Sequence, residues 1–294
     1  MTSSESPVPR SDGHPHAAED PAARSVWLAD GRRMGYAEFG DPNGVPVLFF
    51  HGTPGSRLSG ALLADHAEAA GVRLLAPDRP GFGLSSFQQG HGRLEWPLDV
   101  VELADELGIE RFIALGWSAG GPYALACAAV HPDRVSAVGV LAGVDKLRHL
   151  HPRLVKNLLS LRVVGGNPDR WSDAVSRAWV RTKKAAGSSI EATQAAASTI
   201  AAGIREGVRE STVGVLHELR LLSRDWDFDP ADIAGVPVRF WHGLDDALIS
   251  TRHARTLAAR IPGAQATYLP EAGHVTLLTV HGREILTELR RLAT

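Results

Sequence analysis

The chain has 294 residues, of which 44% are hydrophobic, and its formal net charge is −2. A chain of this size can bury a large core, so we expect a globular protein with one large domain or a core plus an inserted subdomain. The balanced charge excludes an electrostatic case for binding nucleic acid or an anionic membrane. The single cysteine, Cys127, cannot form an intrachain disulfide, and its apolar neighbours predict a buried thiol.

Residues 1–24 differ in composition from the rest, being rich in Ser, Pro, His, Asp and Glu. They contain no apolar run that could serve as a signal-peptide core or a membrane span. We therefore predict a disordered leader and a cytoplasmic protein. His14 and His16 lie in this segment without partners in a folded frame, so no metal site is expected there.

From Val26 onward, strand-like and helix-like segments alternate. Segments 26–28 and 34–39 flank a turn at Asp30 and Gly31, which predicts an antiparallel hairpin. Apolar runs typical of buried strands follow at 45–50, 72–76, 111–115, 135–141 and 236–241, and a further strand-like segment lies at 265–269. Helical patterns lie at 58–70, 94–107, 122–129 and 252–261. This alternation predicts an α/β fold with a mostly parallel sheet.

The alternation stops over residues 145–233, where helical patterns occur at 153–161, 173–184, 190–205 and 211–222. We predict a helical lid inserted between two halves of one core, residues 25–144 and 234–294. It should lie over the carboxyl edge of the sheet, where open α/β sheets bind ligands.

Charge and histidines in this insertion leave two interpretations open. Ten Lys or Arg residues lie between Lys146 and Lys184, against Asp169 and Asp173 alone. They could attract an anionic substrate, but a solvated helical face is favoured. His149 and His151 could contact a substrate or lie on the surface.

Ser118 is the candidate nucleophile. It lies at the centre of Gly116-Trp117-Ser118-Ala119-Gly120, directly after an apolar run and directly before a helical pattern. A serine on a sharp turn from strand to helix needs a strained backbone, and the residues two before and two after it must be small. Glycine occupies both of those positions.

A serine hydroxyl needs a histidine as base and a carboxylate that orients the histidine. His274 follows a strand-like segment near the carboxyl terminus, and Gly273 before it permits a tight turn. The acid should follow the preceding strand, where Asp245 and Asp246 both lie. The order of nucleophile, acid and base along the chain is that of one serine-hydrolase architecture.

An oxyanion requires preorganised donors, which backbone amides at turns can supply. The amide N–H of Ala119 lies in the serine turn itself. The amide N–H of Thr53 lies in the segment His51-Gly52-Thr53-Pro54-Gly55, which leaves the apolar run 45–50. These two groups are the predicted donors.

Together these motifs, with residues 78–85, Asp-Arg-Pro-Gly-Phe-Gly-Leu-Ser, resemble the α/β-hydrolase superfamily over 26–292. The resemblance implies an eight-stranded twisted sheet with flanking helices and an inserted lid. It also favours Asp246 over Asp245, because a glycine precedes the acid by three positions and an apolar pair follows it. His51 and Asp78 are expected to shape the pocket loops, and Trp117 could line the core or the acyl site.

The resemblance implies a serine hydrolase that needs no cofactor and acts on a small, partly hydrophobic ester, lactone or thioester. Ser118 in place of an aspartate disfavours the chemistry of haloalkane dehalogenases and epoxide hydrolases. Proline iminopeptidases usually have a further glycine where Thr53 stands and need acidic residues that are not evident here. Carbon-carbon bond hydrolysis, cyclase or lyase chemistry and a ligand receptor with this fold remain alternatives, and the oligomeric state is open.

Overall fold

The central feature is an eight-stranded sheet with the strand order β1-β2-β4-β3-β5-β6-β7-β8. A computed structural model of the protein describes residues 22–144, 146–150, 152, 176 and 190–293. The strands are β1 Arg24–Trp27, β2 Arg33–Gly40, β3 Val45–Phe50, β4 Val72–Pro77, β5 Phe112–Trp117, β6 Val135–Leu141, β7 Val238–Gly243 and β8 Gln265–Leu269. Only β2 runs against its neighbours, and every other pairing is parallel. The predicted fold class is therefore confirmed.

Helices cover both faces of the sheet. They are α1 Ala64–Ala70, α2 Trp96–Glu106, α3 Gly121–Val130, α4 Ile190–Gly207, α5 Val213–Leu222, α6 Thr251–Ala258, α7 Thr276–Thr279 and α8 Gly282–Ala293. Short 3₁₀ turns span Arg57–Leu63, Ser118–Gly120, Leu147–His149 and Pro230–Asp232. Among the described helices, none is long and apolar enough to cross a membrane.

The side chains of the buried strands divide into two apolar clusters, one on each face. Along β3, Val47 and Phe49 enter one cluster, whereas Leu48 and Phe50 enter the other. This is the alternation that a strand imposes, and both sets are apolar because both faces are covered. The continuous apolar runs of the sequence follow from this double burial.

The chain crosses over the sheet between β3 and β5, which lie side by side although β4 separates them in sequence. Loops that leave neighbouring parallel strands on opposite sides open a crevice at the carboxyl edge. The loop after β3 and the turn after β5 border this crevice. They carry His51 to Gly55 and Ser118, respectively.

Helices α4 and α5 lie against loops at the same edge. A Cβ on Gly207, at the end of α4, would overlap the backbone of Gly55 after β3. A Cβ on Gly214, at the start of α5, would overlap the backbone of Gly81 after β4. The predicted helices at 153–161 and 173–184 lie outside the described residues, apart from Ser176. Of the predicted leader, residues 1–21 are also outside them, and β1 begins at Arg24.

Candidate active site

Ser118 adopts a backbone conformation that residues other than glycine rarely adopt. Its φ is 56°, in the left-handed region, which costs about 1 kcal/mol or more for a residue with a Cβ. A Cβ on Gly116 would overlap the carbonyl of Gly120, and a Cβ on Gly120 would overlap the carbonyl of Phe50. The two flanking glycines are therefore required by the close packing of the turn.

The loop after β3 lies beside this turn. A Cβ on Gly52 would come within 3.3 Å of the Cβ of Ser118, so the loop and the serine are in direct contact. Within the described part of the chain, the amide of Thr53 donates to no backbone acceptor. Both predicted oxyanion donors thus lie in segments that border Ser118.

His274 and Asp246 are in direct contact. The Nδ1 atom of His274 lies 2.8 Å from Oδ2 of Asp246. The other carboxylate oxygen of Asp246 accepts hydrogen bonds from the amides of Leu248, at 2.8 Å, and Ile249, at 3.0 Å. The structure therefore places Asp246, and not Asp245, against the imidazole. The donors that fix this carboxylate are the amides of the apolar pair that follows it.

The loops that carry Asp246 and His274 are joined by their backbones. The amide of Asp245 donates to the carbonyl of Ala272 at 3.0 Å. A Cβ on Gly243 would overlap that same carbonyl. The left-handed residue of the His274 loop is Glu271, with φ 55°, rather than Gly273, which was expected to make the turn. The amide of Gly273 instead donates to the hydroxyl of Thr276, which begins α7.

Trp117 connects His274 to the serine turn. Its Nε1–H donates to the backbone carbonyl of His274 at 3.1 Å, and the two ring centroids lie 5.4 Å apart. Trp117 precedes Ser118 directly and is buried. The Trp117 side chain thus contacts His274, and the Trp117 backbone continues into the serine turn. Because His274 also contacts Asp246, the three predicted residues lie in one region of the sheet edge.

A second histidine binds the same carboxylate. His242, at the end of β7, has Nε2 at 3.3 Å from Oδ2 of Asp246 and at 2.9 Å from the carbonyl of Ile249. Burial alone would raise the pKa of Asp246, but His274 and His242 outweigh it and hold the pKa well below the usual range. Asp246 is therefore ionised at any pH at which the protein would be assayed.

His51 and Asp78 organise the loops behind the site. Nδ1 of His51 donates to the carbonyl of Gly52 at 2.7 Å, and burial followed by the charge of Arg79 lowers the pKa of His51. Both effects favour the neutral ring. Asp78 accepts from the amide of Arg57 at 2.6 Å and from its guanidinium at 2.8 Å. These contacts anchor the loops after β3 and β4.

Other reactive side chains of the sequence lie elsewhere. Cys127 is buried in α3, and burial raises the pKa of its thiol, so the nucleophilic thiolate is disfavoured. His149 stacks on His253 of α6 with ring centroids 3.6 Å apart. His14, His16, His151 and most of the basic segment 146–184 lie outside the described residues.

Sequence reasoning did not single out His242, Arg79 or Glu218. Arg79 follows Asp78 in the 78–85 motif, and His242 precedes Gly243 in the segment that carries Asp246. Their positions beside predicted site residues could have indicated a role for them. Glu218 lies in the helical pattern 211–222 and carries no local signal. Its side chain contacts Arg79 across a separation of more than a hundred residues.

Comparison with known proteins assigns the chain to a family. The model of the alpha/beta hydrolase fold family matches residues 45–279. This span is most of the chain, so the protein belongs to the alpha/beta hydrolase fold family. The resemblance inferred from the sequence is thereby confirmed.

Several curated proteins are similar in sequence. A 2-hydroxymuconate semialdehyde hydrolase from Pseudomonas putida is 28% identical over 262 residues, covering 85% of this chain and 86% of that protein. A dihydrolipoyllysine-residue acetyltransferase component of an acetoin cleaving system from the same organism is 28% identical over 269 residues, covering 90% and 67%. A proline iminopeptidase from Xylella fastidiosa is 34% identical over 129 residues, covering 42% and 40%.

Solved structures show the same fold. An esterase from Exiguobacterium antarcticum superposes with a TM-score of 0.71 at 17% identity, covering 92% of this chain and 100% of that chain. An alpha/beta hydrolase fold protein from Nakamurella multipartita superposes with a TM-score of 0.70 at 23% identity, with the same coverage. At these identities the likeness concerns the fold.

Proposed function

We propose that the protein is a serine hydrolase that needs no cofactor and cleaves a small, partly hydrophobic carboxylic ester, lactone or thioester through an acyl-enzyme on Ser118. The observation that carries the proposal is the imidazole of His274 held by an ionised Asp246, in a loop tied to the strained serine turn. The position of Asp246 leaves Nε2 of the imidazole as the atom that can accept a proton.

In the proposed reaction, Oγ of Ser118 attacks the carbonyl carbon and its proton passes to Nε2 of His274. The carbonyl oxygen becomes an oxyanion and accepts hydrogen bonds from the amides of Thr53 and Ala119. His274 then returns the proton to the leaving alcohol or thiol as the acyl bond breaks. Water, deprotonated by His274, attacks the acyl-enzyme and releases the acid and Ser118.

The positions of α4 and α5, which lie between β6 and β7 in sequence, favour a lid over this site. Helices α4 and α5 pack on the loops that follow β3 and β4, at the same edge as Ser118. Their apolar side chains Ile204, Val215 and Leu219 join the cluster that contains Trp117 and Ala119. Apolar helices packed at this edge favour a substrate whose acyl part is hydrophobic.

Carbon-carbon bond hydrolysis is the second candidate, because the Pseudomonas putida semialdehyde hydrolase matches most of the length of both chains. The observation that separates it from ester hydrolysis is the product. An ester gives an acid and an alcohol, whereas cleavage of a β-diketone releases no alcohol.

Within the part of the insertion that the structure describes, two paired carboxylates disfavour aminopeptidase activity. An aminopeptidase needs an uncompensated carboxylate to bind a free amino group. Glu206 of α4 and Glu218 of α5 both point to the core, but Arg57 binds the first at 2.7 Å and Arg79 binds the second at 3.1 Å. Their negative charge is thus neutralised within the protein.

The test compares Ser118→Ala with Ser136→Ala on a series of chromogenic esters, a lactone and a β-diketone. Ser136 lies on β6 and donates its hydroxyl to the carbonyl of Phe112, so its loss should leave turnover nearly unchanged. Loss of the nucleophile should lower kcat by at least about 10⁴-fold.

An ester turnover that survives in Ser118→Ala would overturn the proposed function. Cleavage of the diketone alone would replace it with the second candidate. Negligible turnover of every compound, together with a partner interaction that appears only with ligand, would favour the receptor alternative.

A further inference from the structure

Arg79 lies behind the loop after β3 and holds both ends of its first three residues. Its Nη2 donates to the hydroxyl of Thr53 at 2.8 Å. Its Nη1 donates to the backbone carbonyl of His51. The guanidinium is planar and rigid, so these two contacts fix the peptide that follows His51 and the residue whose amide is a proposed oxyanion donor.

The third donor of the same guanidinium binds α5. Nε of Arg79 lies 3.1 Å from Oε2 of Glu218, and both side chains are buried. The phenol of Tyr123 in α3 lies beside the same carboxylate. The buried guanidinium and the buried carboxylate stabilise each other's charge, because water does not reach either group to solvate it.

Aromatic rings restrict the remaining freedom of Arg79. Its guanidinium carbon lies 4.9 Å from the ring centroid of Tyr123 in α3 and 5.3 Å from that of Phe82. Burial, together with the nearby Glu218 carboxylate, raises the pKa of the Tyr123 phenol, which therefore stays neutral. Arg79 can thus shift only if the loop, α3 or α5 shifts with it.

We propose that Glu218 of α5 positions the Thr53 amide through Arg79, so that the seating of α5 on the core sets the strength of oxyanion stabilisation. Arg79 and Glu218 act here as positioning residues, since neither has to touch the substrate. The inference rests on the proposed function, because it concerns the donors of that reaction. It adds a link between a helix of the predicted lid and the catalytic step.

A second ion pair offers a matched control. Arg57 binds Glu206 of α4 at 2.7 Å and so also ties a helix of the insertion to the core. Its other acceptors are Asp78 and the carbonyl of Ala22, neither of which belongs to the His51 to Thr53 loop. Loss of this pair removes a contact between α4 and the core but leaves the contacts of Arg79 with His51 and Thr53 in place.

The test uses the full chain and compares Glu218→Gln with Glu206→Gln. The first measurement is kcat and KM on the best ester. The second is the rate of phosphonylation by an alkyl fluorophosphonate. In that reaction a bond forms between Oγ of Ser118 and phosphorus, fluoride leaves, and the serine proton passes to His274. The phosphoryl oxygen occupies the oxyanion position, so the rate reports on the donors without a natural substrate.

Glu218→Gln is expected to lower kcat and the phosphonylation rate together by about 10-fold to 100-fold, with KM changed by no more than about 2-fold. Glu206→Gln should change each quantity by no more than about 3-fold. Thr53→Val removes the hydroxyl that Arg79 holds but keeps the backbone N–H. It should show the same pattern with a smaller loss, and it carries the test if Glu218→Gln does not fold.

Equal losses in Glu218→Gln and Glu206→Gln, or a rise in KM with kcat unchanged, would overturn the inference. So would a Thr53→Val variant with wild-type phosphonylation, if Glu218→Gln does not fold. In either case labelling of wild-type Ser118 would leave the proposed function standing. A wild-type chain that the probe does not label would overturn the proposed function, and this inference with it.

Discussion

At the scale of single residues, the turn at Ser118 combines a left-handed backbone with two closely packed flanking glycines. The packing of the turn between β5 and α3 offsets the cost of the left-handed φ of Ser118. In this turn Gly116 lies against the backbone of Gly120, and Gly120 lies against the backbone of Phe50. This geometry places the serine in the turn between β5 and α3 rather than within the helix. A hydroxyl that merely capped α3 would not need it.

At the same scale, the carboxylate of Asp246 is shared by two imidazoles. His242 donates through Nε2 to the Ile249 carbonyl, and the same atom lies within reach of Oδ2 of Asp246. Within the described residues, Nδ1 of His242 is buried without a hydrogen-bond partner. The ring is thus held from one nitrogen only, and we infer that it helps to fix the orientation of Asp246.

Replacing His242 tests this positioning role. His242→Leu removes the N–H donor, and kcat should fall by about 10-fold with KM nearly unchanged, because the carboxylate can then rotate away from His274. His242→Gln places an amide N–H close to the lost Nε2 and should restore kcat to within about 3-fold of wild type. Steady-state kinetics on one ester measure both values.

Thermal melting of the two variants supplies the control. A Gln variant as slow as the Leu variant, although equally well folded, would show that the donor does not matter. The effect would then belong to packing in the core beside β7.

At the scale of elements, α2 is joined to the hairpin of β1 and β2 by a buried carboxylate. Asp99 of α2 receives two hydrogen bonds from the guanidinium of Arg32, at 2.5 Å and 2.7 Å, and one contact from Nε2 of His91 at 2.9 Å. Burial raises the pKa of Asp99, but these donors outweigh it and lower the pKa overall.

The sign of this shift determines how stability depends on pH. The folded state holds the ionised form, so Asp99 stabilises the protein above the pKa of the unfolded chain, about 3.9. Asp99→Asn should lower the free energy of unfolding by about 3 kcal/mol at pH 7, since it leaves the guanidinium of Arg32 with a weaker partner. The deficit should be equal at pH 5 and smaller at pH 3, where Asp99 of the unfolded chain takes up a proton while the lowered pKa keeps the folded carboxylate ionised.

Urea unfolding followed by circular dichroism measures these differences, and Asp105→Asn is the matched control on the same helix. The Asp105 side chain is 61% exposed and binds Arg134, so its loss should cost less than about 1 kcal/mol. A deficit for Asp99→Asn that stays constant down to pH 3 would contradict the assignment.

Most elements could be predicted because each depends on a local pattern. The runs at 45–50 and 135–141 coincide with β3 and β6, since burial on two faces leaves a continuous apolar signature. The strand-like segment 265–269 coincides with β8, which lies at the edge of the sheet. The predicted helix at 58–70 is a 3₁₀ turn followed by the short α1. Periodicity does not distinguish these two forms over so few residues. β7 begins two residues later than predicted, after Pro237, which lacks an amide donor.

At the scale of the whole molecule, parallel strands explain why a candidate site could be predicted at all. The motifs of Ser118, Asp246 and the loop of Thr53 each follow a strand, and the carboxyl ends of parallel strands meet at one edge. Their convergence therefore follows from topology. The pair of Arg79 and Glu218 could not be predicted, because it depends on how α5 docks onto the core.

Two arginine and glutamate pairs join the inserted helices to the core, one through α4 and one through α5. Single pairs of this kind contribute little where water reaches them, but both of these are largely buried. They hold α4 and α5 against the segments that follow β3 and β4. The proposed site is thus formed by the whole chain rather than by the three proposed catalytic residues alone.

The central claim is that Ser118 is a nucleophile activated by His274 and Asp246. The most direct measurement is the intact mass and the peptide map of the protein after treatment with an alkyl fluorophosphonate. The account predicts one adduct on Ser118 in wild type, none in Ser118→Ala, and labelling at least about 100-fold slower in folded Asp246→Asn. An adduct on another residue, or equal labelling of wild type and Ser118→Ala, would contradict it.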